Sequence, residues 1–352
     1  MSSPVGSVPP GAPEAPGGTS AMDALLLAMV QMRASDLHVS SGTAPQVRHD
    51  GEMKPVPGAP VLAAADAERL LLSIAPPRAC EEFVRRRDAD FAYEIAGVAR
   101  FRANLFVDRK GAGGVLRVIP SAILTAESLG LSPEVLELCR VPKGLVLVTG
   151  PTGSGKSTTL CALIDYINRH RADHIITIED PLEFVHENKQ CLVNQRQVGD
   201  HTNSFRDALR AALREDPDVV LVGELRDLET MAMAIETAET GHLVFSTLHT
   251  TDVGATIARI TDSFPAERQP TIRQEVAAAL SAVFVQTLLP RQAGGRVAAA
   301  ELLMVGYGAR QHIRRNALHH LHQEIAITRK QGSFSLEECL ARLVKDGVVR
   351  SL

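Results

Sequence analysis

The plainest chemistry in the chain lies in eight consecutive residues. Gly150-Pro151-Thr152-Gly153-Ser154-Gly155-Lys156-Ser157, followed by Thr158, fit the pattern G-x-x-x-x-G-K-[ST] in full. Glycines at these positions let backbone N–H groups turn inward around phosphate oxygens. A helix that starts at such a loop adds partial positive charge. The lysine, Lys156, then reaches the terminal phosphates, and the Ser157 hydroxyl is offered to Mg2+. The alternative, a glycine-rich structural turn, gives no reason for a lysine and a hydroxyl at the end of the pattern.

Hydrolysis of a nucleoside triphosphate needs a further carboxylate for Mg2+ and a base that orients water. Both belong at the carboxyl ends of strands beside the loop, where open α/β sheets bind ligands. VVLVGE ends in Glu224, and HIITIED ends in Glu179 and Asp180. The strand-then-acid pattern makes Glu224 the Mg2+-site acid and Glu179 the general base; each could also be a solvated strand-end carboxylate. HLVFSTLHTTD carries His242 before an apolar run and His249 after it. His249, among Ser246, Thr247, Thr250 and Thr251, is placed either to sense a γ-phosphate or to bond a backbone carbonyl as an ordinary loop histidine. The run His312, His319, His320 and His322 lacks carboxylates or cysteines at ligand spacing and reads as polar helix surface. Arg100 and Arg102 alternate on one strand face, with Arg117 on the next strand. They are arginine fingers towards a neighbour's nucleotide or surface ion pairs.

These residues need rigid elements. From Gly144 onwards, apolar runs (GLVLVTG, HIITIED, VVLVGE, HLVFSTL) alternate with helical patterns over Gly155–Asn168, Asn203–Glu215, Leu228–Thr240 and Val253–Thr261. That alternation indicates a parallel sheet covered on both faces. The region 22–120 reads as a small α+β domain. It has an amphipathic opening helix, strands at DLHVS and PQVRH and a turn-rich stretch with Pro55, Pro57 and Pro60. Helices over Asp66–Ile74 and Pro77–Arg87 follow, then three strands in a meander. Residues 121–143 form a linker with a short helix, Pro133–Cys139. The expected core is 144–307, and 308–352 is a mostly helical C-terminal region. Residues 1–21, rich in Pro, Gly, Ser and Ala, read as a disordered tail with no secretory signal.

Composition narrows the classes. At 352 residues, with 45% hydrophobic and 22% charged residues, the chain can bury a sizeable core. A net charge of −4 argues against a nucleic-acid binder that works by bulk charge. The longest apolar candidate, Ala277 to Pro290, is too short to span a bilayer and is interrupted by Ser281 and Gln286. Five scattered cysteines without a CxxC pair fit a reducing cytosol.

Together, GPTGSGKST, IITIEDPLEFVH, LRAALREDPDVVLVGELRDLET, AIETAETGHLVFSTLHTTD and ARFRANLFVDRKGAGGVLRVIP resemble the PilT family, the type IV pilus retraction (twitching motility) ATPases of the secretion-ATPase superfamily. The resemblance spans about residues 22 to 345. It implies a PAS-like N-terminal domain, a RecA-like P-loop ATPase core, a homohexamer, ATP and Mg2+. It places Glu179 and Glu183 in the family's Asp box, Glu224 at its Walker B acid and His242 and His249 in its His box. Arg100, Arg102 and Arg117 match arginines directed at nucleotide. It further implies a cytoplasmic motor at the inner face of the inner membrane, acting on a pilus platform protein, with a paralogous retraction ATPase as a further candidate partner. One stretch departs. The family motif AIRNLIRE corresponds to Gly308–Arg315, which keeps Arg310, Ile313 and Arg314 but has Arg315 in place of the acid. Two other readings remain. One is a pilus-extension, type II or conjugation-type motor, against which the chain lacks a tetracysteine insert. The other is a non-hydrolysing, nucleotide-gated ring subunit, against which both acids are present.

Overall fold

The computed structural model describes residues 20–119 and 123–350. Almost all of the expected N-terminal tail lies outside them. Contacts divide the chain at Ile119/Pro120 into two compact units.

The first unit contains α1 (Ala21–Gln31), β1 (Asp36–Ser40), β2 (Gln46–His49), β3 (Glu52–Pro55), α2 (Ala64–Leu72), α3 (Pro77–Arg86), β4 (Asp88–Ile95), β5 (Ala99–Asp108) and β6 (Gly111–Ile119). Its sheet has the order β3-β2-β1-β6-β5-β4, antiparallel throughout. The strands alternate as one-faced sheets do. Phe101, Ala103 and Leu105 of β5 are buried in one core with α1, α2 and α3, while Arg100, Arg102 and Asn104 lie on the other face. β3 falls inside the proline-rich stretch that the sequence marked as turns.

The second unit opens with α4 (Ala126–Leu129), α5 (Pro133–Leu136) and a 3-10 turn over Glu137–Arg140. This segment is more than the linker expected at 121–143. Val135, Leu138 and Cys139 are buried in the second unit's core. There follow β7 (Gly144–Thr149), α6 (Lys156–His170), β8 (His174–Glu179), β9 (Leu192–Gln197), α7 (Phe205–Ala212), β10 (Val219–Val222), α8 (Leu228–Glu239), β11 (Leu243–Leu248), α9 (Val253–Asp262), α10 (Gln269–Ala279), β12 (Leu280–Pro290), β13 (Arg296–Met304), α11 (Tyr307–Arg314), α12 (Leu321–Ile327) and α13 (Leu336–Lys345).

The sheet order is β13-β12-β7-β11-β10-β8-β9, parallel except for the β12–β13 hairpin. Alternate residues of each strand feed opposite cores. Leu145, Leu147, Val220 and Val222 pack with α7 to α12, whereas Val146, Val148, Val219 and Leu221 pack with α5, α6 and α13. Burial on both faces is why these strands read as unbroken apolar runs. The result is a mixed α/β fold with a mainly parallel sheet. The C-terminal helices close its two cores: Ala309, Ile313, Leu321 and Ile325 on one face, Phe334 and Cys339 on the other. The sequence missed β9, β12, β13 and α10. The apolar run Ala277 to Pro290 is the end of α10 followed by β12. Among the described residues no helix is long and apolar enough to cross a membrane.

Candidate functional site

Parallel pairing brings the carboxyl ends of four strands to one edge of the second sheet. Leu248 of β11 is in register with Thr149 of β7, and Val222 of β10 with Ile178 of β8 and Ser246 of β11. The residues just past these positions are Gly150, Glu179, Glu224 and His249. Side-chain hydroxyls fix the end of β10. Ser246 Oγ donates to the Val222 carbonyl at 2.7 Å, and Thr247 Oγ1 donates to the Gly223 carbonyl at 2.7 Å.

The phosphate loop leaves β7 at Gly150, whose φ is 144°. A Cβ there would lie 2.1 Å from the Gln286 carbonyl oxygen, so only glycine fits. Gly153 has φ 79°, and a Cβ there would meet nothing within 4 Å, so the crest of the loop is open. Helices α7, α8 and α9 have side-chain caps from Ser204, Asp227 and Asp252; α6 begins behind Gly155 with none. Its first-turn N–H groups are left for an anion. Ser157 is exposed on that first turn and Thr158 half-buried.

Lys156 is only 8% exposed. Its Nζ donates to the carbonyls of Gly150 (2.9 Å) and Pro151 (3.0 Å), and to His249 Nδ1 (3.2 Å). Burial pulls its pKa down, and the charge of Glu224 opposes that shift. An ammonium has no lone pair, so Nδ1 of a neutral His249 accepts and the proton sits on Nε2. That nitrogen faces Glu224 Oε1 at 3.0 Å, while Arg226 Nε donates to Glu224 Oε2 at 2.8 Å. The loop lysine and the strand-end acid are thus joined through one imidazole.

Glu179 stands beside them on β8. Its Oε1 accepts from the Thr177 hydroxyl at 2.7 Å and from Gln195 Nε2 at 3.4 Å, and the carboxylate also accepts from the Glu183 backbone N–H. Burial outweighs these bonds and pushes the carboxyl up to about 7. A carboxyl that changes charge near neutrality suits a general base.

The structure therefore gathers Gly150 to Thr158, Glu179, Glu183, Glu224 and His249. It does not bring His242 to them. His242 precedes β11 at the amino edge of the sheet, where its carbonyl accepts from Gly144 N–H at 2.9 Å and its Nδ1 lies 3.0 Å from the Thr237 carbonyl. At about 3.3 Å per residue, a strand's length of roughly 20 Å separates it from His249. Within this chain His242 and His249 therefore stand at opposite ends of β11.

Arg100, Arg102 and Arg117 belong to the first unit. Arg102 and Arg117 are directly opposed on β5 and β6, and Arg100 lies two residues along the same face. Arg117 is not a bare cation: its Nε donates to Asp36 Oδ1 at 2.7 Å. Asp36 is 3% exposed; burial works against its charge, but the Ser35 hydroxyl and Arg117 hold its carboxyl below the usual range. Arg102 Nε lies 4.0 Å from Asp90 in an exposed setting.

Sequence reading missed several partners. Thr177 stands two residues before Glu179, and Arg226 two after Glu224. The strand's period of two could have suggested Thr177, but Gln195 and Gln286 come from distant segments. The histidine-rich run also has its own contacts: His312 Nε2 lies 3.4 Å from Glu324, and the His319 and His320 rings are 4.0 Å apart. Among the described residues no group of three or more His, Cys, Asp or Glu could hold a metal ion.

The profile of the family "Type II/IV secretion system protein" matches residues 19–340. The Pseudomonas aeruginosa "Type IV pilus retractation ATPase PilT" is 47% identical over 325 residues, covering 92% of this chain and 94% of that protein. A Neisseria gonorrhoeae "Twitching motility protein" is 41% identical, covering 90% of this chain and 87% of its own length. Among solved structures, that of the pilus retraction motor PilT with bound ADP superposes with a TM-score of 0.80 at 44% identity, covering 91% of this chain and 96% of that one. The chain belongs to the type II/IV secretion system protein family and, within it, to the PilT family of type IV pilus retraction ATPases.

Proposed function

We propose that this chain binds and hydrolyses ATP with Mg2+, and that it works as a homohexameric motor for pilus retraction. The observation that carries the ATP reading is Lys156. A largely buried ammonium is bonded to three neutral acceptors beside an open glycine crest and an uncapped helix start. An anion completes such a site. Glu179 takes the proton of the attacking water, and its raised pKa suits that task. Ser157 and Glu224 would hold Mg2+, whose charge offsets that of the β- and γ-phosphates. His249, bonded to both Lys156 and Glu224, reports occupancy of the loop to the acid. In a ring, Arg100, Arg102 and Arg117 would add cations that stabilise the transition state. Membership of the PilT family supports retraction over extension or type II secretion, with action at the cytoplasmic face of the inner membrane. An inner-membrane platform protein is the proposed partner, with a paralogous retraction ATPase as a second. No nucleic-acid partner is proposed.

Steady-state ATPase assays on the purified chain, Lys156→Ala and Glu179→Gln test the chemistry. Turnover in the parent and its loss in both variants is expected. A parent that binds ATP without hydrolysing it would favour the nucleotide-gated ring subunit.

A further inference from the structure

Strand β12 does more than extend the sheet. It pairs with β7 up to Val285↔Thr149, then runs on past the point where β7 gives way to the phosphate loop. The next residue is Gln286, which is 2% exposed. Its Nε2 donates to the Ser154 carbonyl at 2.6 Å, and its Oε1 accepts from the Thr159 hydroxyl at 2.8 Å. The amide orientation is determined by chemistry. A backbone carbonyl only accepts, so the NH2 must face Ser154 and the oxygen must face Thr159. Gln286 is held at its backbone too, since its carbonyl occupies the space that a Cβ on Gly150 would need. One side chain thus spans the loop and the helix that the loop opens, and one carbonyl sets the loop's departure from the sheet.

We infer that Gln286 is a positioning residue for the phosphate loop: it holds the Ser154 peptide so that the loop keeps the shape in which its N–H groups face phosphate. The inference rests on the reading of this loop as a phosphate cradle. An apolar residue of similar length leaves a buried carbonyl and a buried hydroxyl without this partner, and the loop must rearrange to satisfy them. A loop with several accessible shapes binds phosphate more weakly, by the fraction of time spent in the competent one.

The test compares four variants by ADP affinity in titration calorimetry and by nucleotide-free Tm. Gln286→Met removes both bonds and keeps the side chain's length. Val285→Ala weakens the same strand without touching the loop. Thr159→Val removes the hydroxyl donor isosterically, and Thr159→Ser retains it. Measured where all are folded, ADP should bind about ten- to a hundredfold more weakly to Gln286→Met. Val285→Ala should lower Tm with affinity kept within about twofold. Thr159→Val should lose several-fold and Thr159→Ser should recover. Should Gln286→Met fail to fold, the Thr159 pair decides alone. Affinity within twofold of the parent in Gln286→Met, or in Thr159→Val when that pair decides, overturns the inference while leaving nucleotide binding intact. Equal losses of affinity in Val285→Ala and Gln286→Met also overturn it, by reducing the effect to strand stability. A parent chain that binds no ADP overturns the cradle reading itself, and the positioning role with it.

Discussion

His249 and His242 flank the same strand, β11, yet they occupy different chemical worlds. At the carboxyl end, His249 accepts from a buried lysine and faces a carboxylate. At the amino end, His242 lies against the Thr237 carbonyl and the Thr240 hydroxyl at the end of α8. Strand direction makes the difference. In a parallel sheet every loop that leaves a carboxyl end gathers at one edge, so residues from distant segments meet there. The amino edge receives returning helix ends, whose side chains satisfy backbone groups. The same residue type is therefore linked to two charged groups at one edge and serves as a local turn element at the other.

The largest effect that bears on this contrast is expected at the loop. Lys156→Ala should reduce ATP turnover to background while nucleotide-free Tm changes little, because the residue's bonds go to its own loop and to His249. Retained turnover would remove the carboxyl edge from the chemistry altogether.

Glu179→Gln comes next, with an expected loss in kcat of about two to four decades and nucleotide binding kept. It also carries a signature in stability. In the folded chain Glu179 is pushed up to about 7 by burial, above the ordinary carboxylate value. Between those two values the folded state holds the extra proton, so this group makes stability fall as pH rises towards 7. Glutamine cannot ionise and removes that loss. Thermal melts should therefore show Glu179→Gln more stable than the parent at pH 8, by on the order of 1–3 kcal/mol, with the gap shrinking towards pH 5. A gap that stays constant across pH would show that Glu179 is not held protonated by burial. In the parent, kcat should rise with pH and level off above about 7.

The two histidines themselves give a smaller and direct comparison. His249→Ala breaks contacts to two charged groups and should lower kcat by about one to two decades. His242→Ala should leave ATPase within about threefold and reduce stability by about 1 kcal/mol. Equal losses would mean that His242 reaches a nucleotide by a route other than its own sheet edge.

The smallest effects belong to Arg310 and Arg315, both in the stretch Gly308–Arg315 that departs from the family motif. The structure separates them. Arg310 Nη1 donates to the carbonyls of Ala277 and Ala278 at the end of α10, whereas Arg315 is exposed just past the last turn of α11. Arg310→Ala should cost about 1–3 kcal/mol in denaturant unfolding, because the Ala277 and Ala278 carbonyls lose a charged donor. Arg315→Glu should cost below about 1 kcal/mol, through the helix dipole, and leave ATP turnover within a few fold. A destabilisation by Arg315→Glu as large as that of Arg310→Ala would contradict the separation.

The phosphate loop was legible from residues alone because its requirements are local. Glycines at 150, 153 and 155 answer to backbone conformation, and Lys156 and Ser157 sit at the start of the helix that the loop opens. The strands β7, β8, β10 and β11 were legible because burial on both faces leaves an apolar run, and Glu179, Glu224 and His249 because they stand where those runs stop. Other elements were hidden for physical reasons. β3 lies among prolines. β9 carries polar residues. The end of α10 and β12 run together as one mostly apolar stretch in which periodicity cannot tell helix from strand. What tertiary structure alone decided is who meets whom. Gln286 looked like a polar interruption in an apolar segment, yet its amide meets a carbonyl 132 residues away. Arg117 stood open between an arginine finger and a surface ion pair until register placed Asp36 opposite it. His249 was marked by its place after an apolar run, but only the tertiary structure set it between Lys156 and Glu224 and left His242 at the far end of β11. Local backbone demands are written in neighbouring residues; the pairing of strands, which sets every long-range contact, is the outcome of the whole core packing at once.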